Sequence, residues 1–204
     1  MLLDYNQLQK FLSVSIKGVI HIGAHECEED KFYKQINVDK VIWIDALQHK
    51  VDEFKNKGFN IFQAVISDKD DESVNFNITN NLQSSSILEL DTHLKHHPWV
   101  HVLARVVMKT KKLDTFIQEN KVDMNNYNFL NLDIQGAELM ALKGFSTNLD
   151  KIDYIYTEVN VEHLYKNCAL LEDLDNFLSQ YNFKRVLTDI TQYKWGDAFY
   201  VKNK

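Results

Sequence analysis

A chain of 204 residues with 45% hydrophobic and 12% aromatic content can bury one sizeable core, so a single domain over residues 1–204 is expected. A formal net charge of −6 and a pI near 5.7 give no basic field for a phosphate backbone, and no nucleic-acid partner is expected. Cys27 and Cys168 form no metal-pair or disulfide pattern, and Asp4, Gln7 and Lys10 interrupt the N-terminal segment. A cytoplasmic protein without a membrane span or signal peptide is therefore the expectation.

In chain order, Asp4–Phe11 reads as a helix with Tyr5, Leu8, Phe11 and Leu12 on one face. Apolar runs at Val19–Ile22, Val41–Ile44, Ile61–Ile66, Phe129–Leu132 and Ile152–Thr157 read as strands of a parallel sheet buried on both faces. Helical patterns follow several of them, at Leu47–Lys57, Ala137–Phe145 and Leu170–Tyr181. The last strands, Phe183–Leu187 and Ala198–Val201, are joined by TDITQYKWGD, which reads as a hairpin link. The expected fold class is α/β and Rossmann-like: a mostly parallel seven-stranded sheet ending in an antiparallel hairpin, with helices on both faces. A parallel sheet with such an antiparallel ending resembles the class I methyltransferase variant of that architecture. Residues 67–126 are too long for a simple crossover and are expected to form an insertion or lid over the site.

In such sheets the ligand sits beyond the carboxyl ends of the strands, where strand order reverses. Those ends carry Gly23-Ala24-His25, then Asp45 about 20 residues on, then Ser67 and Asp68, Asp133 and Glu158. Asp45 is placed to grip a ribose diol, although Asp45 or Asp133 could equally cap the helix that follows. The first turn has Gly23 but places His25, Glu26, Cys27 and Glu28 where a dinucleotide site needs further glycines. Glu28 and Glu29 would repel a pyrophosphate, whereas they suit a phosphate-free ligand bearing an ammonium and a sulfonium. S-adenosylmethionine has both groups and a ribose. The same acids would also complement a helix dipole.

The stretches VIHIGAHECEE, VIWIDA, AVISDKD, QSSSIL, KTKKLDTF, NFLNLDIQGAELMALKGF and WGDAFYVK, in this order, resemble FkbM-type S-adenosylmethionine-dependent methyltransferases across Val19 to Val201. The family mostly methylates hydroxyls of sugars or polyketides. The departures are Cys27, where glycine is usual, and Gln135, where glutamate is usual. The resemblance implies that His21, Gly23, Ala24 and His25 shape the turn against the methionine part of the cofactor. It further implies that Asp45 binds the ribose with Ala46 beside it, that Val65 and Ser67 flank the adenine, and that Ser85 and Ser86 close over the cofactor. Asp133 would face the reacting methyl.

A sugar hydroxyl needs a base within hydrogen-bond reach. The candidates are Asp133, Glu158 and a histidine of DTHLKHHPWVH, His93 first among them. His93, His96, His97 and His101 also invite a metal reading, but Pro98 interrupts any helix there and no cysteine joins them. A divalent metal at Asp133 finds no second acid at a convincing spacing. The expected function is O-methyl transfer to a sugar or glycan-like small molecule, with S-adenosylhomocysteine as product. The alternatives are a non-catalytic cofactor-binding or partner-docking domain, a nicotinamide dehydrogenase, or a methyltransferase for protein or nucleic acid. The slot after the fourth strand, LDIQGAE, lacks the Pro-Pro-aromatic motif of amino-methylating DNA enzymes, and neither cysteine follows a proline.

Overall fold

The computed structural model describes residues 2–203, the side chain of Tyr5 excepted, so that part of the expected N-terminal helix face lies outside the described residues. Helix α1 (Tyr5–Gln9) opens on Asp4, whose carboxylate accepts from the Gln7 N–H while the Gln7 side chain accepts from the Asp4 N–H. Strands and helices then alternate: β1 (Val19–Ile22), α2 (Asp30–Gln35), β2 (Val41–Asp45), α3 (Gln48–Asn56) and β3 (Ile61–Gln63). Next come β4 (Val65–Ser67), β5 (Ser73–Thr79), α4 (His93–His96), β6 (Val102–Lys112) and α5 (Leu113–Glu119). The chain continues through β7 (Phe129–Leu132), α6 (Glu138–Lys143), β8 (Tyr154–Asn160), α7 (Leu171–Ser179), β9 (Phe183–Ile190) and β10 (Trp195–Lys202).

The main sheet has seven strands in the order β3-β2-β1-β7-β8-β10-β9, with β10 antiparallel to both neighbours. Successive residues of β1 and β2 point to opposite faces. Ile20, Ile22, Ile42 and Ile44 enter a core shared with α5, α6 and α7, while Val19, Val41 and Trp43 pack with α2 and α3. Strand order reverses between β1 and β7, which opens a crevice at their carboxyl ends.

Several sequence-based boundaries change: the hairpin strands run longer than expected, as Phe183–Ile190 and Trp195–Lys202, and two further changes bear on the site. The apolar run Ile61–Ile66 is broken at Ala64, whose N–H donates to the Asp45 carbonyl at 3.0 Å. Beyond it β4 leaves the main sheet and pairs in parallel with β6, inside a smaller sheet of order β4-β6-β5. Nothing in a continuous apolar run marks such a break. Glu158 lies within β8 rather than beyond its end, opposite Asp197 of β10, because β8 extends to Asn160. Its last residues, Thr157 to Asn160, are polar except for Val159, and so break the continuous apolar run that marks the rest of the strand.

Residues 67–126 are built mainly of β5, α4, β6 and α5. Leu113, Phe116 and Ile117 of α5 are buried in the main core. Upstream of them, Ser84, Ser85, His93, His97 and Trp99 line the cavity at the crevice.

Candidate functional site

A cavity of about 550 Å³ lies over the carboxyl ends of β1, β2, β7 and β8, within the range of small-molecule sites. At its base Gly23 has φ +90°, and a Cβ there would fall 1.7 Å from the Asp133 carbonyl oxygen. Glycine is thus required by the close approach of two strand ends. The turn that follows keeps left-handed backbone without glycine, at His25 (φ 42°) and Cys27 (φ 50°).

Asp45 is held by this turn. Its Oδ2 accepts from the His25 N–H and its Oδ1 from the Leu47 N–H, both at 2.8 Å. Burial pushes its carboxyl above the usual range, opposed by these two N–H groups and the nearby His25 and His49. Each oxygen keeps a lone pair, so the carboxylate can still accept a ribose diol. Glu28 and Glu29 also line the cavity. Glu28 pairs with the His25 ring at 2.8 Å, and despite burial that bond and backbone N–H donors hold its carboxyl down at about 2. Lys50, the sole Lys or Arg among the lining residues, is tied to Glu26 at 3.0 Å. The lining fits a phosphate-free, cationic cofactor better than a pyrophosphate.

Gly23, His25, Asp45, Ala46, Val65, Ser85, His93, Asp133 and Glu158 all line the cavity. Four expected cofactor residues are absent from its lining. His21 points into the core, its Nδ1 bonded to the Tyr33 hydroxyl at 2.9 Å and its ring 4.6 Å from that of Trp43. Ala24 and Ser67 are fully buried, and the Ser86 hydroxyl donates to the Gln135 carbonyl at 2.8 Å. These side chains support the turns from behind, because a residue at a strand end can face either way.

Asp133 and Glu158 are joined through Gln135. The Gln135 Nε2 donates to Asp133 Oδ1 at 2.8 Å and to Glu158 Oε2 at 2.7 Å, while its Oε1 accepts from the Tyr165 hydroxyl at 2.5 Å. Burial pushes Glu158 well above the ordinary carboxylate range, reinforced by the charges of Asp133, Glu138 and Asp197. Asp133 is open to the cavity but ringed by protein, and that surrounding raises it too, against the hydrogen bonds of Gln135 and Glu158. Both carboxyls are thus raised, and the Gln135 amide is the group that bridges them. Behind them Glu138 accepts from the Ile134 and Gly136 N–H groups at 3.0 and 3.2 Å.

Sequence reasoning missed Tyr165, Asp197, Trp99 and Trp195, which also line the cavity. Asp197 accepts from the Tyr156 hydroxyl and from the Leu2 N–H at 2.5 Å, and Leu2 lines the cavity as well. His93 is buried, bonds Ser84 Oγ through Nε2 at 3.3 Å, and stacks near Tyr165 and His97. Its Nδ1 has no hydrogen-bond partner. Burial and the neighbouring His97 and His96 push it down to about 4, so it is neutral at physiological pH. Among the described residues no cluster of three or more His, Cys, Asp or Glu is arranged to hold a metal ion. No helix among them is long and apolar enough to cross a membrane.

Comparison with known proteins agrees with this architecture. The profile of the Methyltransferase FkbM domain matches residues 21–185. A curated relative, the 2-O-methyltransferase NoeI of Sinorhizobium fredii, is 30% identical over 98 residues, which are 46% of this chain and 40% of that protein. The match thus spans about two fifths of that relative's length. Among solved structures, M. capricolum TrmK, in complex with S-adenosyl-homocysteine, superposes with a TM-score of 0.50 at 13% identity, covering 100% of this chain and 70% of that one. An uncharacterized protein from Listeria monocytogenes serotype 4b gives a TM-score of 0.51 at 9% identity, covering 99% and 69%. At such identities these two structures speak for the fold alone.

Proposed function

The chain belongs to the FkbM methyltransferase family, and from that premise we propose that it transfers a methyl group to a hydroxyl of a sugar or glycan-like small molecule, with Asp133 as base. The observation that carries the reading is the carboxyl pair formed by Asp133 beyond β7 and Glu158 within β8, beside the Gly23 turn and Asp45 in one cavity. S-adenosylmethionine, the donor, supplies a methyl already activated on a sulfonium. Asp45 would hold its ribose, Ala46, Val65 and Ile66 would wall its base, and Glu28 and Glu29 would face its cationic end. Asp133 would take the hydroxyl proton as the acceptor oxygen displaced the sulfur from the methyl carbon, leaving S-adenosylhomocysteine, so no alkoxide need form beforehand. Alignment in the cavity contributes as well, and for a displacement of this kind is worth roughly 7–11 kcal/mol.

Three observations support a glycan-like acceptor. NoeI bears the name of a 2-O-methyltransferase. Trp99, His97, Tyr165 and Trp195 give the cavity aromatic surface on which the apolar face of a sugar ring can stack. The acids of the lining disfavour a phosphorylated polymer. In this reading the chain is one domain, the part of residues 67–126 before α5 covers the acceptor side, and the separated, unpaired cysteines suit a cytoplasmic setting.

Isothermal titration with S-adenosylhomocysteine tests the core of the proposal. Binding is expected, and Asp45→Ala should weaken it about 10- to 100-fold, the worth of hydrogen bonds to a charged group. A folded protein that binds none would leave neither the enzyme nor a cofactor-binding domain standing. Binding without labelled methyl transfer to any of a panel of saccharides would favour the docking-domain alternative.

A further inference from the structure

We propose that Gln135 and Tyr165 are positioning residues: the Tyr165 hydroxyl sets which way the Gln135 amide faces, and that amide clamps the Asp133 and Glu158 carboxyls side by side. The inference rests on the reading of Asp133 as the base. A primary amide has two N–H donors and one carbonyl acceptor, and here each polar atom of Gln135 is engaged. Rotating the amide by half a turn would aim its oxygen at two carboxyl groups and its nitrogen at a hydroxyl proton. The Tyr165 O–H opposes that state, because its bond to Gln135 Oε1 at 2.5 Å is far shorter than its other option, the Ser84 carbonyl at 3.4 Å, and burial beside Glu158 keeps the phenol protonated.

The backbone holds the clamp as well. Gln135 sits at φ 58°, in the left-handed region, with its carbonyl capped by Ser86 Oγ at 2.8 Å. The next residue, Gly136, lies so close to Tyr165 that a Cβ would come within 3.2 Å of the Tyr165 Cβ. Glutamine therefore has a different task here from glutamate. A carboxylate at position 135 would accept from Tyr165 but could donate to neither partner, and would add a third acid to the pair. The other charges facing the pair are Glu138 of α6, Asp197 of β10 and Glu29 at the start of α2. All are acids, so the Gln135 N–H groups are the side-chain donors that oppose their repulsion of the pair.

Carbon-13 NMR of protein labelled at the Asp and Glu side-chain carboxyls, from roughly pH 4 to 9 so as to bracket shifted carboxyl values, tests the clamp. Asp133→Asn and Glu158→Gln assign the signals. In the wild type the two carboxyls should titrate as a coupled pair, in two separated steps with the upper one well above the usual range. Gln135→Glu and Tyr165→Phe should each raise the lower step by about one unit, through loss of donors to the anion. Affinity for S-adenosylhomocysteine should stay within about threefold of wild type, less than 1 kcal/mol. A merely structural role would lower the unfolding temperature and leave the titration unmoved. Independent titration at ordinary values in the wild type would overturn the proposal, whichever variants fold. So would steps that stay put in both variants. Failure of the wild type to bind S-adenosylhomocysteine would instead sink the proposed function, and the two failures are separable.

Discussion

Asp133 and Glu158 share one amide donor but not one environment. Glu158 is buried in β8 opposite Asp197, while Asp133 opens to the cavity from the end of β7. In the proposed mechanism Asp133, open to the cavity, is the member placed to receive the acceptor's proton, and Glu158 is its buried neighbour. Asp133→Asn should lower turnover by about 10²–10⁴-fold with cofactor affinity nearly unchanged, whereas Glu158→Gln, which mimics the protonated acid, should cost far less. Labelled methyl transfer measures both, and equal losses would contradict the division of roles. Cys27 is a second residue whose role the structure defines. Its side chain is buried among Leu8, Ala24 and Tyr33, and burial, with the nearby acids Asp45 and Glu28, pushes the thiol far above its usual range. It is an inert filler at a left-handed position, where a non-glycine residue pays roughly 1–2 kcal/mol. Cys27→Gly is accordingly expected to be no less stable than Cys27→Ala in urea unfolding, because relief of that strain offsets the extra flexibility. A glycine variant clearly weaker than the alanine one would refute this account.

At the level of elements, the loop from Asp133 to Glu138 joins β7 to α6 and carries Asp133, Gln135 and Gly136 to the cavity and to Tyr165. Gly136 has φ +95°, and a Cβ there would sit 2.9 Å from the Cys168 Cβ. Gly136→Ala should therefore cost about 2 kcal/mol or more, near 4–8 °C in unfolding temperature for a chain of this size, and weaken the contact between Gln135 and Tyr165. Differential scanning calorimetry reads the first effect, and an unchanged melting temperature would show that the loop yields freely. This loop also separates what sequence reveals from what it hides. Gly23, Asp45 and Asp133 were legible because each stands where an apolar run stops, and strand ends of a parallel sheet meet along one edge. Tyr165 and Asp197 were not, since they reach the cavity from the segment after β8 and from the antiparallel strand β10. Only tertiary packing brings Tyr165 to Gln135, 30 positions away. The broken strand at Ala64 and the inward-facing His21 were hidden for a related reason: periodicity tells that a residue alternates, not which neighbour it meets.

Across the whole molecule, buried acids tie stability to pH. Burial, with the charge of Asp133, pushes Glu138 from 4.5 up to about 7, against hydrogen bonds from the N–H groups of Ile134 and Gly136. Its folded value lies above its unfolded one, so its contribution is present below about 4.5 and is lost as pH rises through about 7. Glu158, Asp133, Asp197 and Asp45 are raised and share that sign. The urea midpoint should fall between roughly pH 5 and 8, and Glu138→Gln, which keeps the accepting oxygen, should flatten part of that fall. A midpoint that rises with pH over this window would contradict the assignment. The contact of the Leu2 N–H with Asp197 bears on how the protein is handled at the bench. Because Leu2 forms part of the cavity wall and its N–H is held by Asp197, the segment before α1 is tied to the opening, and a cut between Leu2 and α1 would release one wall of the cavity.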